Sequence, residues 1–307
     1  MVCLSCGTFD CGENNPICAV ACIRKLMERV DRLERQITAT NLFIHPVLNN
    51  TGKVFRYNGP RTFEQITSDG EGNFWALSSG SLYHCKITAR SDYIEIEETP
   101  IPFSPLENEI VAFSTRDGDL AYALDSKGGI YGWSPNSKTF VLYERDWPYA
   151  ISAKPKFEGK IRKMVTTTGG TDSRHGRQYI LDEQALASYS LDFFHRLEVF
   201  RGEATDFFVQ GADVYVPSGL INMCTPFSNS TDVFSIGEGS VRCLAIEKDV
   251  MIAGHDDHIT LCRLADHTIV QRIDLDIRSA GELNSMLVNE NGSLILHYGD
   301  NQLYLVV

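Results

Sequence analysis

Phe63-Glu64-Gln65-Ile66-Thr67-Ser68-Asp69-Gly70-Glu71-Gly72-Asn73-Phe74-Trp75-Ala76-Leu77-Ser78-Ser79-Gly80-Ser81-Leu82-Tyr83-His84-Cys85-Lys86-Ile87 is the stretch on which the reading of this chain turns. Its apolar runs are short, and they are broken by Asp, Gly, Asn and Ser, the residues that supply tight turns. The reading is strand, turn at Ser68–Asn73, strand at Phe74–Leu77, turn at Ser79-Gly80, and strand at Ser81–Ile87. No helical period survives anywhere in it.

Aligning the turns shows that the pattern repeats. Ile110–Ser134 gives Asp117-Gly118-Asp119, then Leu120–Leu124, then Lys127-Gly128-Gly129 and Ile130-Tyr131-Gly132-Trp133. Val241–Leu264 gives Val250-Met251-Ile252-Ala253-Gly254 and then His258-Ile259-Thr260-Leu261-Cys262. Leu283–Val307 gives Glu290-Asn291-Gly292, Ser293–Tyr298, Gly299-Asp300-Asn301 and Gln302–Val307. Two less regular copies cover about Lys160–Arg201 and Ala204–Ile236. Copies of about 40 residues have the size of four-stranded propeller blades.

The last copy stops after its third strand, and an unpaired edge there would invite aggregation. Lys53-Val54-Phe55-Arg56-Tyr57 is a β-prone segment without a partner of its own. It is expected to supply the missing outer strand. The fold expected is therefore all-β: a six-bladed β-propeller over residues 42–307, closed by an N-terminal strand. A seven-bladed ring, with one more blade from residues 41–60, is the alternative.

Two repeats carry a family likeness. Gly254-His255-Asp256-Asp257-His258-Ile259-Thr260-Leu261-Cys262-Arg263-Leu264 resembles the core of a WD40 repeat, with Cys262 where that family usually has Trp. Asp69, Gly72, Trp75, Gly80, Leu82 and Tyr83 resemble the repeats of sensor-type and tectonin-type propellers. The resemblance implies a fold and specifies no activity.

Upstream, Asn15-Pro16 is a helix start, with Asn as cap and Pro at the first helical position. Ile23, Leu26, Val30, Leu33 and Ile37 follow at alternating steps of three and four, a heptad seam. Such a stripe either packs on the body or joins copies of the chain. Arg29 and Glu34 stand at g and e positions, where they would meet across a parallel interface. Arg29-Val30-Asp31-Arg32-Leu33-Glu34 also resembles the Arg/Glu pattern of short parallel trimers, whereas β-branched a positions with Leu at d favour dimers. Residues 15–41 are accordingly expected to form a coiled-coil helix joining two or three chains, with a trimer preferred.

Residues 1–14 form a cysteine-rich tail, and Cys3, Cys6, Cys11, Cys18 and Cys22 precede the seam. Only Cys3-x-x-Cys6 has zinc-ligand spacing. Zinc, lipidation of Cys3 and Cys6, interchain disulfides and an inert tail all remain open, and membrane attachment is expected only with lipidation. Cys85, Cys224, Cys243 and Cys262 are scattered among apolar residues, as free thiols of a reducing compartment would be. The first 23 residues lack Lys and Arg, so a secretory signal is not expected. The cytoplasm or another reducing compartment is the expected location, with a virion as the alternative.

The net charge is −12; residues 1–41 are balanced, and the remainder holds 23 basic against 35 acidic side chains. That field repels a phosphate backbone, so nucleic-acid binding is not expected.

No P-loop, His-Glu-x-x-His or nucleophile elbow is present in the sequence, and neither a cofactor nor a catalytic residue is assigned. Thr67–Trp75 is near the Asp-box of sialidases, but Asp69 and Gly72 stand one residue too far apart. His255-Asp256-Asp257-His258 is the densest metal-capable run and falls at a hairpin turn, where Asp serves local hydrogen bonding. The polar loop Thr166–Arg177, with Arg174, His175 and Arg177, and the aromatic pair Trp147 and Tyr149 are the candidate partner surfaces. The expected function is a self-associating, non-enzymatic scaffold that binds other proteins. An oligomeric attachment or glycan-binding protein is the first alternative, and a propeller hydrolase the second.

Overall fold

The structure is a computed structural model. It describes Met27, Val30 and residues 52–307 apart from 105, 107, 117, 143–158, 168–175, 191–195, 227–229, 248, 278–280, 290 and 300–301. Met27 and Val30 are helical and exposed. The unit Pro46–Val307 is all-β and carries every strand described below.

The strands fall into consecutive antiparallel sets, the blades of the ring. The first comprises β2 (Gln65–Ser68), β3 (Phe74–Ser78), β4 (Ser81–Ala89) and β5 (Tyr93–Pro100). After a two-residue strand β6 (Phe103–Ser104), the second comprises β7 (Ile110–Arg116), β8 (Asp119–Asp125), β9 (Ile130–Ser134) and β10 (Thr139–Leu142). The third runs through β11 (Lys163–Thr167), β12 (Arg177–Leu181), β13 (Ala185–Ser190) and β14 (Arg196–Arg201). The fourth runs through β15 (Phe208–Gln210), β16 (Asp213–Ser218), β17 (Leu220–Thr225) and β18 (Ser230–Phe234). The fifth runs through β19 (Cys243–Glu247), β20 (Val250–Gly254), β21 (His258–Arg263) and β22 (Ile269–Asp274). The sixth set among the described residues has β23 (Leu283–Val288), β24 (Leu294–Tyr298) and β25 (Leu303–Val306).

Its fourth strand is β1 (Val54–Tyr57), which pairs antiparallel with β25 through Val54↔Val306, Phe55↔Leu305 and Arg56↔Tyr304. The segment picked out in the sequence as the closing strand does close the last sheet. It is also held on its other side, because β1 pairs in parallel with β5 through Arg56↔Tyr93 and Tyr57↔Ile94. The first and last blades thus form one eight-stranded sheet. Phe55 and Tyr57 are buried there with Phe63, Phe74, Ile94, Ile295 and Leu305. Burial of that apolar surface is the main stabilising term for the closure.

Successive first strands neighbour one another around the ring: β2 with β7, β7 with β11, β15 with β19, β19 with β23, and β23 with β2. Lys163 joins β11 to the residues just before β15, through hydrogen bonds to Asp206 and to the Phe207 carbonyl. Further apolar cores fill the spaces between blades. Cys262 is fully buried in the core around Ile221, Leu244 and Met251.

Candidate binding face

Antiparallel hairpins place two kinds of loop at each end of the ring. One end carries the turns between second and third strands together with the connectors between blades. At this end the turn of one blade repeatedly holds the first residues of the next. Gly80 accepts the Ile110 amide at 3.1 Å. Gly219 and Val241 exchange both backbone hydrogen bonds, at 3.0 and 3.3 Å. Asp256 makes the equivalent link with a side chain, its Oδ1 accepting the Leu283 amide at 3.0 Å.

Asp256 is the centre of the most polar of these joints. Arg242 donates to its Oδ2 at 3.3 Å and to Glu282 Oε1 at 2.9 Å, and the Tyr298 hydroxyl donates to its carbonyl at 3.1 Å. Beside it, the imidazoles of His255 and His258 stack with centroids 4.0 Å apart and planes 7° apart. The carbonyl of Ser240 can only accept, so His255 Nδ1 donates to it at 3.1 Å, and Nε2 accepts from Thr260 Oγ1 at 3.3 Å. Burial, and then the neighbouring His258, depress the His255 pKa to about 4, so this ring is neutral. His258 Nδ1 donates to Asp257 Oδ1 at 2.6 Å. Ring-nitrogen lone pairs lie in the ring plane, so two parallel stacked rings cannot aim them at a single ion. The geometry makes this run a turn that locks the connector before β19, as its sequence suggested.

The mouth of the ring at the same end is laced by two further polar residues. Gln65 Nε2 donates to the carbonyls of Val111 and Ile161, 3.2 and 3.0 Å away, which ties the first blade to the second and to the segment entering the third. Asp206 is fully buried: it accepts from Lys163 and the Phe207 amide through Oδ1, and from the Leu244 amide at 3.3 Å through Oδ2. A buried carboxylate is tolerated only with such partners. Between the first two blades lies an open depression of about 470 Å³ lined by Ser79, Gly80, Ser81, Leu106, Asn108, Glu109 and Ser126. Leu106 is exposed at its edge. Asp125, below it, would be raised by burial, but hydrogen bonds from Asn108, Gly129, Lys127 and Tyr131 hold its carboxyl below the usual range.

The opposite end has a different cluster around Asp69. Asp69 Oδ1 accepts from the Glu71 and Asn73 amides, at 2.8 and 3.0 Å, and its Oδ2 accepts from His84 Nε2 at 2.8 Å. Burial alone would raise this carboxyl, yet His84 and the two amides bring it below its ordinary value. Trp75 packs on His84 and donates from its indole to the Gly118 carbonyl at 2.9 Å. The stretch that approaches an Asp-box in sequence is thus a self-capped turn joined to the next blade.

Of the residues singled out for partner binding, Arg177 opens β12, paired opposite Thr167 and Ser190, and its Nε donates to Ser188 Oγ within the third blade. Arg174, His175, Trp147 and Tyr149 lie outside the described residues, as do Cys3, Cys6, Cys11, Cys18 and Cys22. Of the seam, Val30 is described and is 47% exposed, while Ile23, Leu26, Arg29, Leu33, Glu34 and Ile37 lie outside. Gln65 and Asp206 escaped the sequence reading, because each is a single residue in no motif.

The fold is similar to solved WD40 β-propellers. The WD40 repeats of RRP9 match at 11% identity and a TM-score of 0.49, over 84% of this chain and 98% of that one. The WD40 propeller of Doa1 matches at 10% and 0.47, over 84% and 96%. U3-55K matches at 11% and 0.50, over 84% and 99%. No protein-family model and no curated protein matches the sequence. At such identity the likeness is one of fold.

Proposed function

We propose that this chain is a non-enzymatic scaffold: a six-bladed ring that presents its loop-bearing faces to other proteins, with the N-terminal seam gathering two or three copies. The observation that carries the reading is the use made of the polar residues at the candidate face. Asp256, Arg242, His255, Asp206 and Gln65 hold turns and connectors in fixed positions between blades. A rigid frame with preset loops lowers the ordering cost of binding a partner. Self-association through Ile23, Leu26, Val30, Leu33 and Ile37 would add avidity to weak contacts.

The reading is tested by the solution mass of the full chain beside one lacking residues 1–41. A dimer or trimer that becomes a monomer on truncation supports it. A full-length monomer removes the gathering role. Trimer against dimer is decided by the same mass, with Arg29→Ala and Glu34→Ala as variants expected to weaken the trimer.

A further inference from the structure

The chain contains two Asn-Gly dipeptides, Asn58-Gly59 and Asn291-Gly292, and the fold treats them differently. Asparagine before glycine is open to a self-reaction, because glycine lacks the Cβ that hinders the approach. The backbone nitrogen of glycine attacks the side-chain carbonyl carbon, a C–N bond forms, and the side-chain nitrogen leaves as ammonia. Water then opens the five-membered imide at either carbonyl and gives aspartate or isoaspartate. One water is consumed, one ammonia is released, and no redox partner is needed.

At Asn291 the reacting groups are tied down. The side-chain oxygen accepts from the Ser293 amide at 2.9 Å and from its hydroxyl at 2.7 Å. The attacking nitrogen, that of Gly292, donates to the Asn289 carbonyl at 2.8 Å. Attack requires the Gly292 amide to release the Asn289 carbonyl, and the Asn291 carboxamide to leave the orientation that its bonds to Ser293 fix.

Asn58 follows β1 directly and is exposed, as is Gly59. Among the described residues, no hydrogen bond holds the Asn58 side chain or the Gly59 amide. Glycine is also required here, since a Cβ at position 59 would overlap the Tyr57 phenol. We propose that Asn58 is a site of spontaneous conversion to aspartate and isoaspartate, placed at the strand that closes the ring. The product puts a carboxylate next to Tyr57, whose hydroxyl already contacts Glu98 at 3.4 Å, and isoaspartate lengthens the backbone just after β1. Conversion therefore loosens the pairing of β1.

The test incubates the native full chain at mildly alkaline pH and maps it with trypsin. The peptide Tyr57–Arg61 reports one site and the C-terminal peptide after Arg278 the other. Conversion at Asn58 is expected to be about tenfold faster or more, the factor that one or more surrendered hydrogen bonds would impose on Asn291. In denaturant the two rates should converge. Equal rates in the folded chain, or a faster Asn291, overturn the proposal. Asn58→Gln, expected to keep the parent melting temperature, should abolish the product. The converted fraction, isolated by ion exchange, should exchange the Phe55 and Arg56 amide hydrogens faster; unchanged exchange removes the effect on closure.

Discussion

Phe55 stands directly opposite Leu305 in the ladder that joins the first described strand to the last. Both are buried, in a core shared by the first and last blades. Phe55→Ala removes a large side chain from that core and leaves a cavity, at a cost of about 3–5 kcal/mol. The midpoint of thermal unfolding should fall, and hydrogen exchange in β25 should accelerate before exchange in the fifth blade does. Phe55→Leu should keep most of the stability. Equal exchange in both blades would refute a special role for the clasp.

The Lys163–Asp206 contact predicts a marked asymmetry between single and double replacements. Asp206→Ala strips the partner from a lysine that is three-quarters covered, and breaking such a pair costs on the order of 3 kcal/mol. Replacing both, as Lys163→Met with Asp206→Leu, should cost clearly less than the sum of the singles. A double-mutant cycle in urea reads this directly, and strict additivity would show that the contact contributes nothing.

Acid should weaken the fold through His255. Its folded pKa, about 4, lies below the ordinary value of 6.5, so the unfolded chain binds more protons in that window. Stability therefore rises with pH, and it is lost as pH falls from about 6.5 to about 4, by on the order of 3 kcal/mol. Asp69 and Asp125, with carboxyls held low, add losses at still lower pH. Denaturant titrations across that window, from about pH 7 to about pH 4, should give a shallower slope for His255→Gln. The parent slope in that variant would refute the assignment.

The four body cysteines should be silent toward alkylation in the native state. Cys85, Cys224, Cys243 and Cys262 are buried, and burial pushes Cys85 and Cys262 up to about 12. The thiolate is the reactive form. Iodoacetamide at about pH 8 should leave all four unmodified until denaturant is added. Native labelling of Cys262 would contradict its placement in the core between the fourth and fifth blades.

Much of the ring was legible because its signals are local. Asp69-Gly70, Ser79-Gly80 and Asn291-Gly292 mark tight turns wherever they occur, and the apolar runs between them are the right length for strands. The clasp was legible by a mismatch: a last repeat short of one strand and a β-prone segment near residue 54 with no partner. The parallel contacts were not. Parallel neighbours share no turn, so neither β5 against β1 nor the two-residue β6 against β10 leaves a mark in the chain. At the candidate face, the His255–His258 run announced itself as a hairpin, and the structure places it between β20 and β21. The use of Asp256 as an anchor for the next blade depends on residues far off in sequence, Arg242, Glu282 and Leu283, and no local pattern encodes it.

The double pairing of β1 also constrains assembly during synthesis. Its partner on one side, β5, emerges from the ribosome soon after it, while β25 follows only after every other described strand. Until then the nascent chain can dock Tyr57 beside Ile94 but cannot complete the circle. Closing a loop of such length is entropically slow. A translation intermediate with half of its clasp already seated would wait for β25, with one backbone edge of β1 covered by β5 in the meantime.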